Sequence, residues 1–352
     1  MPQTTAPPTV VAAPLVDAHI HPDKSSWGGP WLSRDRADTL RDFIDNDVRT
    51  QAAYTRSVED RALALFRTAA GQGTRAMRAH VDVGPACGVA NVHGVRAAAD
   101  RLRGVLDVEI VAFPQQGLLT APGTFDLLDA ALGEGADVVG GIDPEGLEGD
   151  VDGHLDAVFG LAAKHGADVD IHLHDGGDAG LDQTRRIAAR ATAEGMGPRV
   201  TVSHAFAVAA ATGDALTSIA DDVAAAGIWL VTCALGGDPV LPVRFLRERG
   251  VNVAVGSDGV RDAWTPFGSG SMLDRAHLLS YRTDAMTDAD LELAYDACST
   301  AGAKLLRITT DPSGDRIEYP GECLAQVVID RPTPIRVLRD GDEIARDGVL
   351  VS

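Results

Sequence analysis

The feature that most constrains this chain is a repeat of short apolar runs alternating with longer amphipathic segments, each boundary marked by Gly, Pro, Asp or Asn. Eight runs have strand character, at 15–21, 75–83, 108–114, 136–142, 168–174, 199–204, 227–233 and 251–256. Between them, segments such as 95–102, 125–132, 154–165, 184–194 and 243–249 repeat their apolar residues at helical spacing. Several close near a glycine, at Gly135, Gly166, Gly227 and Gly250, as a helix does before turning into a strand. Eight such units within a span of about 250 residues predict an α/β fold, a (β/α)8 TIM barrel, rather than an open doubly wound sheet. An open sheet would place a glycine-rich phosphate turn after its first strand. Here that strand runs into His21-Pro22-Asp23-Lys24-Ser25-Ser26 instead.

The barrel is predicted over 15–310, preceded by a flexible lead-in at 1–14. One or two helices are expected in 288–306. Residues 317–352, rich in β-branched residues, Pro and Gly-Asp turns, read as two or three short strands. They predict a small, reduced β-sandwich appendage over 311–352, drawn from the C-terminal segment.

Composition narrows the partners. With 31 basic against 51 acidic residues the formal net charge is −20, which argues against nucleic acid and anionic membranes as partners. The most apolar stretch, 223–237, is broken by glycines and falls short of the ~20 residues a bilayer span needs. The lead-in has no basic residue and so lacks the charged part of a secretory signal. Cys87, Cys233, Cys298 and Cys323 are far apart and form no C-x-x-C, which fits a cytoplasmic protein without a disulfide framework or zinc ribbon.

Five of the ten histidines, His19, His21, His172, His174 and His204, fall at the C-terminal ends of predicted strands, the rim where barrel enzymes keep their chemistry. Strand alternation puts His19 and His21 on one face, so both can grip one ion. His172 adds a third nitrogen, and Asp258, in a Gly-Ser-Asp-Gly turn after the eighth strand, adds a carboxylate. Three nitrogens and one oxygen suit a single Zn2+ or Fe2+ with room for a water. The chain has three lysines, and none ends the third or fourth strand. A carboxylated lysine bridging two ions is therefore not expected. His204 is the candidate general base, and Lys24 reaches into the same mouth. The proton shuttle is left open among His174, which shares a face with His172, Asp175, one step further on, and His204 itself. His80 is ambiguous by position.

Seven segments in order, LVDAHIHPDKS, RAHVDVG, IVAFPQQG, ADVVGGIDP, DIHLHDGG, VSHAF and GSDGVRDAWTPFGSGSML, resemble the strand-end motifs of the cytosine deaminase-like branch of the amidohydrolase superfamily. Within it they are more similar to the N-isopropylammelide isopropylamidohydrolases than to cytosine deaminases proper. The resemblance implies hydrolysis of C–N bonds in small nitrogen heterocycles, by deamination or dealkylamination, with His19, His21, His172 and Asp258 as metal ligands and His204 as base. It implies substrate contacts from Lys24, Gln115, Asp143 and Trp264; in the expected mechanism one of His174, Asp175 and His204 protonates the leaving amine and Asp258 relays a proton. A homo-oligomer is expected by the same resemblance. Two departures stand out: Asp175 aligns with a glutamate shuttle in the cytosine enzymes, and Gly259 replaces an acid that follows the metal aspartate. The first half of the branch's small β-sandwich is expected to be missing. Hydrolysis of a cyclic amide or ureide, and metal-dependent binding without turnover, are the alternative functions.

Overall fold

A computed structural model describes residues 8–311 and 313–351; the first half of the expected lead-in, 1–7, lies outside the described residues. Eight parallel strands follow one another in sequence order around a nearly closed barrel: Leu15–Ile20, Thr74–Asp82, Asp107–Phe113, Val138–Ile142, Asp168–His172, Val200–Ser203, Trp229–Thr232 and Asn252–Val255. All eight expected runs are strands, with ends shifted by up to two residues. Burial of all six residues of the first strand reflects cover on both faces, from barrel interior and outer helices. Closure comes where the last strand meets the first, through a parallel bridge between Ile20 and Asp258. The approach there is so close that a Cβ on Gly256 would lie 2.4 Å from that of His19. Only glycine fits without moving His19.

Capping explains several helix boundaries. Gly166 and Gly227 take left-handed conformations as the C-caps of helices Val151–His165 and Gly213–Ala226. Thr39 and Asp42 form a reciprocal capping box at the start of helix Leu40–Ala53. That helix and Val58–Gly71 fill the long connection between the first two strands.

A second, five-stranded antiparallel sheet packs beside the barrel, in the order Thr9–Ala12, Arg316–Pro320, Arg336–Arg339, Asp342–Arg346, Val349–Leu350. Two expectations are corrected here. Residues 9–12 are not part of a flexible lead-in: they form an edge strand paired with Arg316–Pro320, Val10 opposite Tyr319. The small sheet therefore draws on both ends of the chain rather than on the C-terminal segment alone. That segment also carries four strands rather than two or three, and a helix, Leu324–Asp330. Leu15 shares one continuous core with Ile317, Tyr319 and Val337. Tyr295 and Ser299 hydroxyls donate to the Ala13 and Pro14 carbonyls, at 2.6 and 2.7 Å, and hold the crossing between sheet and barrel. Among the described residues no helix is long and apolar enough to cross a membrane.

Candidate active site

The rim at the strands' C-terminal ends brings the expected donors together. His19 Nε2 lies 3.3 Å from His21 Nε2, which lies 3.4 Å from His172 Nε2. Asp258 Oδ1 is 3.3 Å from His21 Nε2 and 3.7 Å from His19 Nε2. Donors held about 2.0–2.2 Å from a tetrahedral ion are about 3.3–3.6 Å apart, and the three contacts of His21 have that spacing; among the described residues, two groups of donors within ligand reach of one another share His19, one with His21 and Asp258 and one with His80 and His172. The tautomer agrees. Ser203 Oγ donates to Asp170 Oδ1 at 2.7 Å and so accepts from His19 Nδ1–H at 3.0 Å, leaving the His19 Nε2 lone pair turned to the cluster. Burial holds His19, His21 and His172 below the ordinary histidine range, with neighbouring positive or protonatable groups adding to it, so these rings are neutral. Burial opposes ionisation of Asp258, but the His21 hydrogen bond and the surrounding imidazoles outweigh it and keep the carboxylate charged.

His80 joins this group. Its ring stacks on His19 with centroids 3.8 Å apart, and neither nitrogen has a hydrogen-bond partner. Beneath the donors, Arg78 fills the barrel interior, donating to Asp170 at 3.0 Å, Thr201 at 2.9 Å and Glu109 at 2.6 Å. Ser203, Asp170 and Arg78 thus form a buried chain that fixes the His19 ring.

His204, on the sixth strand's rim, has its ring 5.1 Å from that of His172 and 4.6 Å from that of His174. Burial, reinforced by His174, pushes its imidazole down to about 3. His174 is the opposite case. Its Nδ1 is 2.7 Å from Asp143 Oδ2, and its own amide donates to Asp143 Oδ1 at 2.6 Å. Burial disfavours its charge, but the Asp143 carboxylate outweighs burial and raises it. Asp143 in turn is pushed up by burial yet held below the ordinary carboxylate value by His174.

Asp143, His204 and Asp258 all adopt positive φ, at 32°, 68° and 61°. A left-handed conformation costs a non-glycine residue about 1–2 kcal/mol. At three strand ends that strain turns these side chains onto the rim.

The cavity above the donors has a volume of about 310 Å³. His174, His204, Lys24, Gln115 and Trp264 all line it. Two expected members do not. Asp143 sits behind His174 instead of facing the cavity, which corrects its expected substrate contact. Asp175, one of the shuttle candidates, turns away: its Oδ2 accepts from the Gly146 amide and from Gln183 Nε2, each at 2.9 Å, and it is not among the residues at the cavity wall.

Several lining groups carried no sequence signal of their own. Phe43, from helix Leu40–Ala53, stacks on Trp264 with centroids 5.0 Å apart and an interplanar angle of 12°. Lys24 Nζ donates to Gln115 Oε1 and pairs with Asp82 Oδ1 at 3.1 Å, with Asp47 Oδ2 at 3.8 Å. Burial opposes the lysine's charge, but the carboxylates outweigh it and raise the ammonium's pKa. Burial pushes Asp23 and Asp47 up to about 7 each, against the pull of Lys24. Asp82 was findable, because it follows His80 by two residues and shares its strand face. Asp47 and Phe43 were not, since the helix carrying them lies outside the strand–helix repeat.

A profile of the amidohydrolase family matches residues 50–311. Over 361 aligned positions the chain is 31% identical to an N-isopropylammelide isopropyl amidohydrolase of Pseudomonas sp. (strain ADP), covering 97% of this chain and 88% of that protein. The crystal structure of N-isopropylammelide isopropylaminohydrolase from Burkholderia multivorans superposes with a TM-score of 0.92 at 36% identity, covering 99% of this chain and 92% of that one. That of 5-methylcytosine deaminase from Klebsiella pneumoniae, liganded with 5-fluorocytosine, superposes with a TM-score of 0.84 at 25% identity, covering 96% and 86%.

Proposed function

This chain belongs to the amidohydrolase family, and from that premise we propose that it hydrolyses a C–N bond of a small nitrogen heterocycle, an aminotriazine or aminopyrimidine, releasing ammonia or an alkylamine. The observation that carries the reading is the meeting of His19, His21, His172 and Asp258 at one barrel rim, with His21 Nε2 lying 3.3 Å, 3.4 Å and 3.3 Å from His19 Nε2, His172 Nε2 and Asp258 Oδ1, beside a cavity sized for a single ring.

His19, His21, His172 and Asp258 hold one divalent ion, zinc or ferrous iron. Such an ion supplies the Lewis acidity that brings the pKa of water from about 15.7 to about 7. The protein's own groups do the rest. His204, unprotonated, accepts a proton from the attacking water and aims it at the ring carbon bearing the amine. His174 carries a proton on Nε2, the nitrogen left free by the Asp143 contact at Nδ1, and gives it to the departing nitrogen. Trp264 supports the ring face. Lys24 and Gln115 fix ring carbonyl and N–H groups, the ammonium held in place by Asp82 and Asp47. The barrel carries all of these groups, and the small sheet supports it. A cytoplasmic homo-oligomer belongs to the same reading.

The test is a screen of metal-loaded protein against aminopyrimidines, aminotriazines and their N-alkyl relatives. Release of ammonia or alkylamine with the ring intact supports the proposal. A ring-opened acid without amine supports cyclic amide hydrolysis instead. Inactivity across the panel leaves a binding protein.

A further inference from the structure

Gly259 follows the Asp258 donor, and its missing side chain leaves space that another residue fills. A Cβ built on Gly259 would lie 2.3 Å from Asp262 Oδ2, so the two positions compete for one volume. Asp262 is 2% exposed and lines the cavity. Its two oxygens differ. Oδ1 accepts from the amides of Trp264 and Thr265, both at 2.9 Å, and so holds the turn that presents the Trp264 ring. Oδ2 has no hydrogen-bond partner.

A buried carboxylate oxygen without a donor is costly, and native proteins seldom leave one in place without a use. No protein side chain donates to it, although Arg34 Nε donates to the main-chain carbonyl of the same residue. A ring entering the cavity that Asp262 lines can supply a donor. Trp264 and Phe43 stack nearly parallel on the wall of the same cavity and favour a flat ring.

We propose that Asp262 is a specificity-determining residue whose Oδ2 accepts a hydrogen bond from a ring N–H of the bound heterocycle, and that Gly259 is what lets it do so. This rests on the heterocycle-hydrolase reading above. Burial pushes the Asp262 carboxyl up to about 6 against the pull of the Thr265 amide, so above that pH the group is a pure acceptor. A ring lacking the N–H would leave the oxygen unpaired and bind more weakly.

Two variants and one pair of compounds test this. The compounds are the panel member that zinc-loaded wild-type protein turns over fastest and its ring-N-methyl derivative. Asp262→Asn keeps an oxygen for the Trp264 and Thr265 amides but offers a donor where an acceptor stood. Gly259→Ala leaves the carboxylate in the sequence and pushes it out of place. Each is expected to raise KM for the N–H compound at least tenfold with kcat within threefold, at unchanged zinc content. Wild type is expected to prefer the N–H compound over its methylated form at least tenfold, and both variants to lose most of that preference. Unchanged KM and preference in both variants would overturn the inference while leaving the hydrolase reading intact. If Asp262→Asn fails to fold, Gly259→Ala decides alone. Absence of turnover by wild type on every panel member is visible before any variant is made; it removes the reading, and the inference with it.

Discussion

His174 Nδ1 and Asp143 Oδ2 lie 2.7 Å apart, and the same carboxylate accepts from the His174 backbone amide at 2.6 Å, so Asp143 fixes both the ring and its main chain. The pair leaves only Nε2 of His174 facing the cavity. Asp143→Asn should therefore lower kcat by about 100- to 1,000-fold with KM within threefold, the range general-acid loss normally costs. The loss should shrink for substrates whose leaving amine is less basic, measured across a series of N-alkyl groups. Equal loss across the series would place Asp143 outside proton transfer.

His174 and Asp175 should separate cleanly. Asp175 is tied to Gly146 and Gln183 away from the cavity, so Asp175→Ala should cost about 1–2 kcal/mol of stability and leave turnover within fivefold. His174→Gln should lose turnover by orders of magnitude. Steady-state rates and thermal melts of the two variants check this; the reverse ranking would restore Asp175 as the shuttle.

Ser203 orients His19 through Nδ1. Removing such a partner of a metal-ligating histidine costs about 10- to 100-fold in affinity. Ser203→Ala should show that loss in competition against a chelator of known affinity, with the fold intact by circular dichroism. Unchanged affinity would mean that packing alone orients the ring.

Much of this site could be read from the sequence, for a physical reason. Alternation along a strand and the polarity of a parallel barrel send His19, His21, His172 and His204 to one rim regardless of loop detail. Asp143 and Asp175 could not be placed that way. Which of two acidic residues faces the cavity depends on backbone angles after the strand ends, and Asp143 takes a left-handed conformation there that spacing does not reveal. The strand at Thr9–Ala12 was hidden because four residues carry little pattern and their partner lies some 300 positions away, at Arg316–Pro320. Asp262 carried no sequence signal of its own, because the room for its carboxylate follows from the glycine at 259.

Glu148 predicts an acid response of the fold. Its carboxylate accepts from the amides of Leu119 and Thr120 at 2.9 and 3.0 Å, pinning the loop that carries Gln115. Burial alone would raise it, but His154 and the loop amides outweigh burial and bring it from the ordinary 4.5 down to about 2. A depressed carboxyl stabilises the fold above its unfolded value and loses that contribution as pH falls through the folded one. Stability should thus decline between about pH 4.5 and 2, and Glu148→Gln should be less stable at pH 7 by on the order of 2 kcal/mol. In urea melts, the gap between wild type and variant should close over that window; a constant gap would contradict it.

The account turns on a single ion gripped by His19, His21, His172 and Asp258. Diffraction at the zinc absorption edge from crystals of zinc-loaded protein tests it most directly. The expected result is one anomalous peak at the barrel rim, within about 2.0–2.3 Å of the three Nε2 atoms and Asp258 Oδ1. A peak elsewhere, a second peak of equal height beside it, or none at all would contradict the assignment on which the proposed chemistry depends.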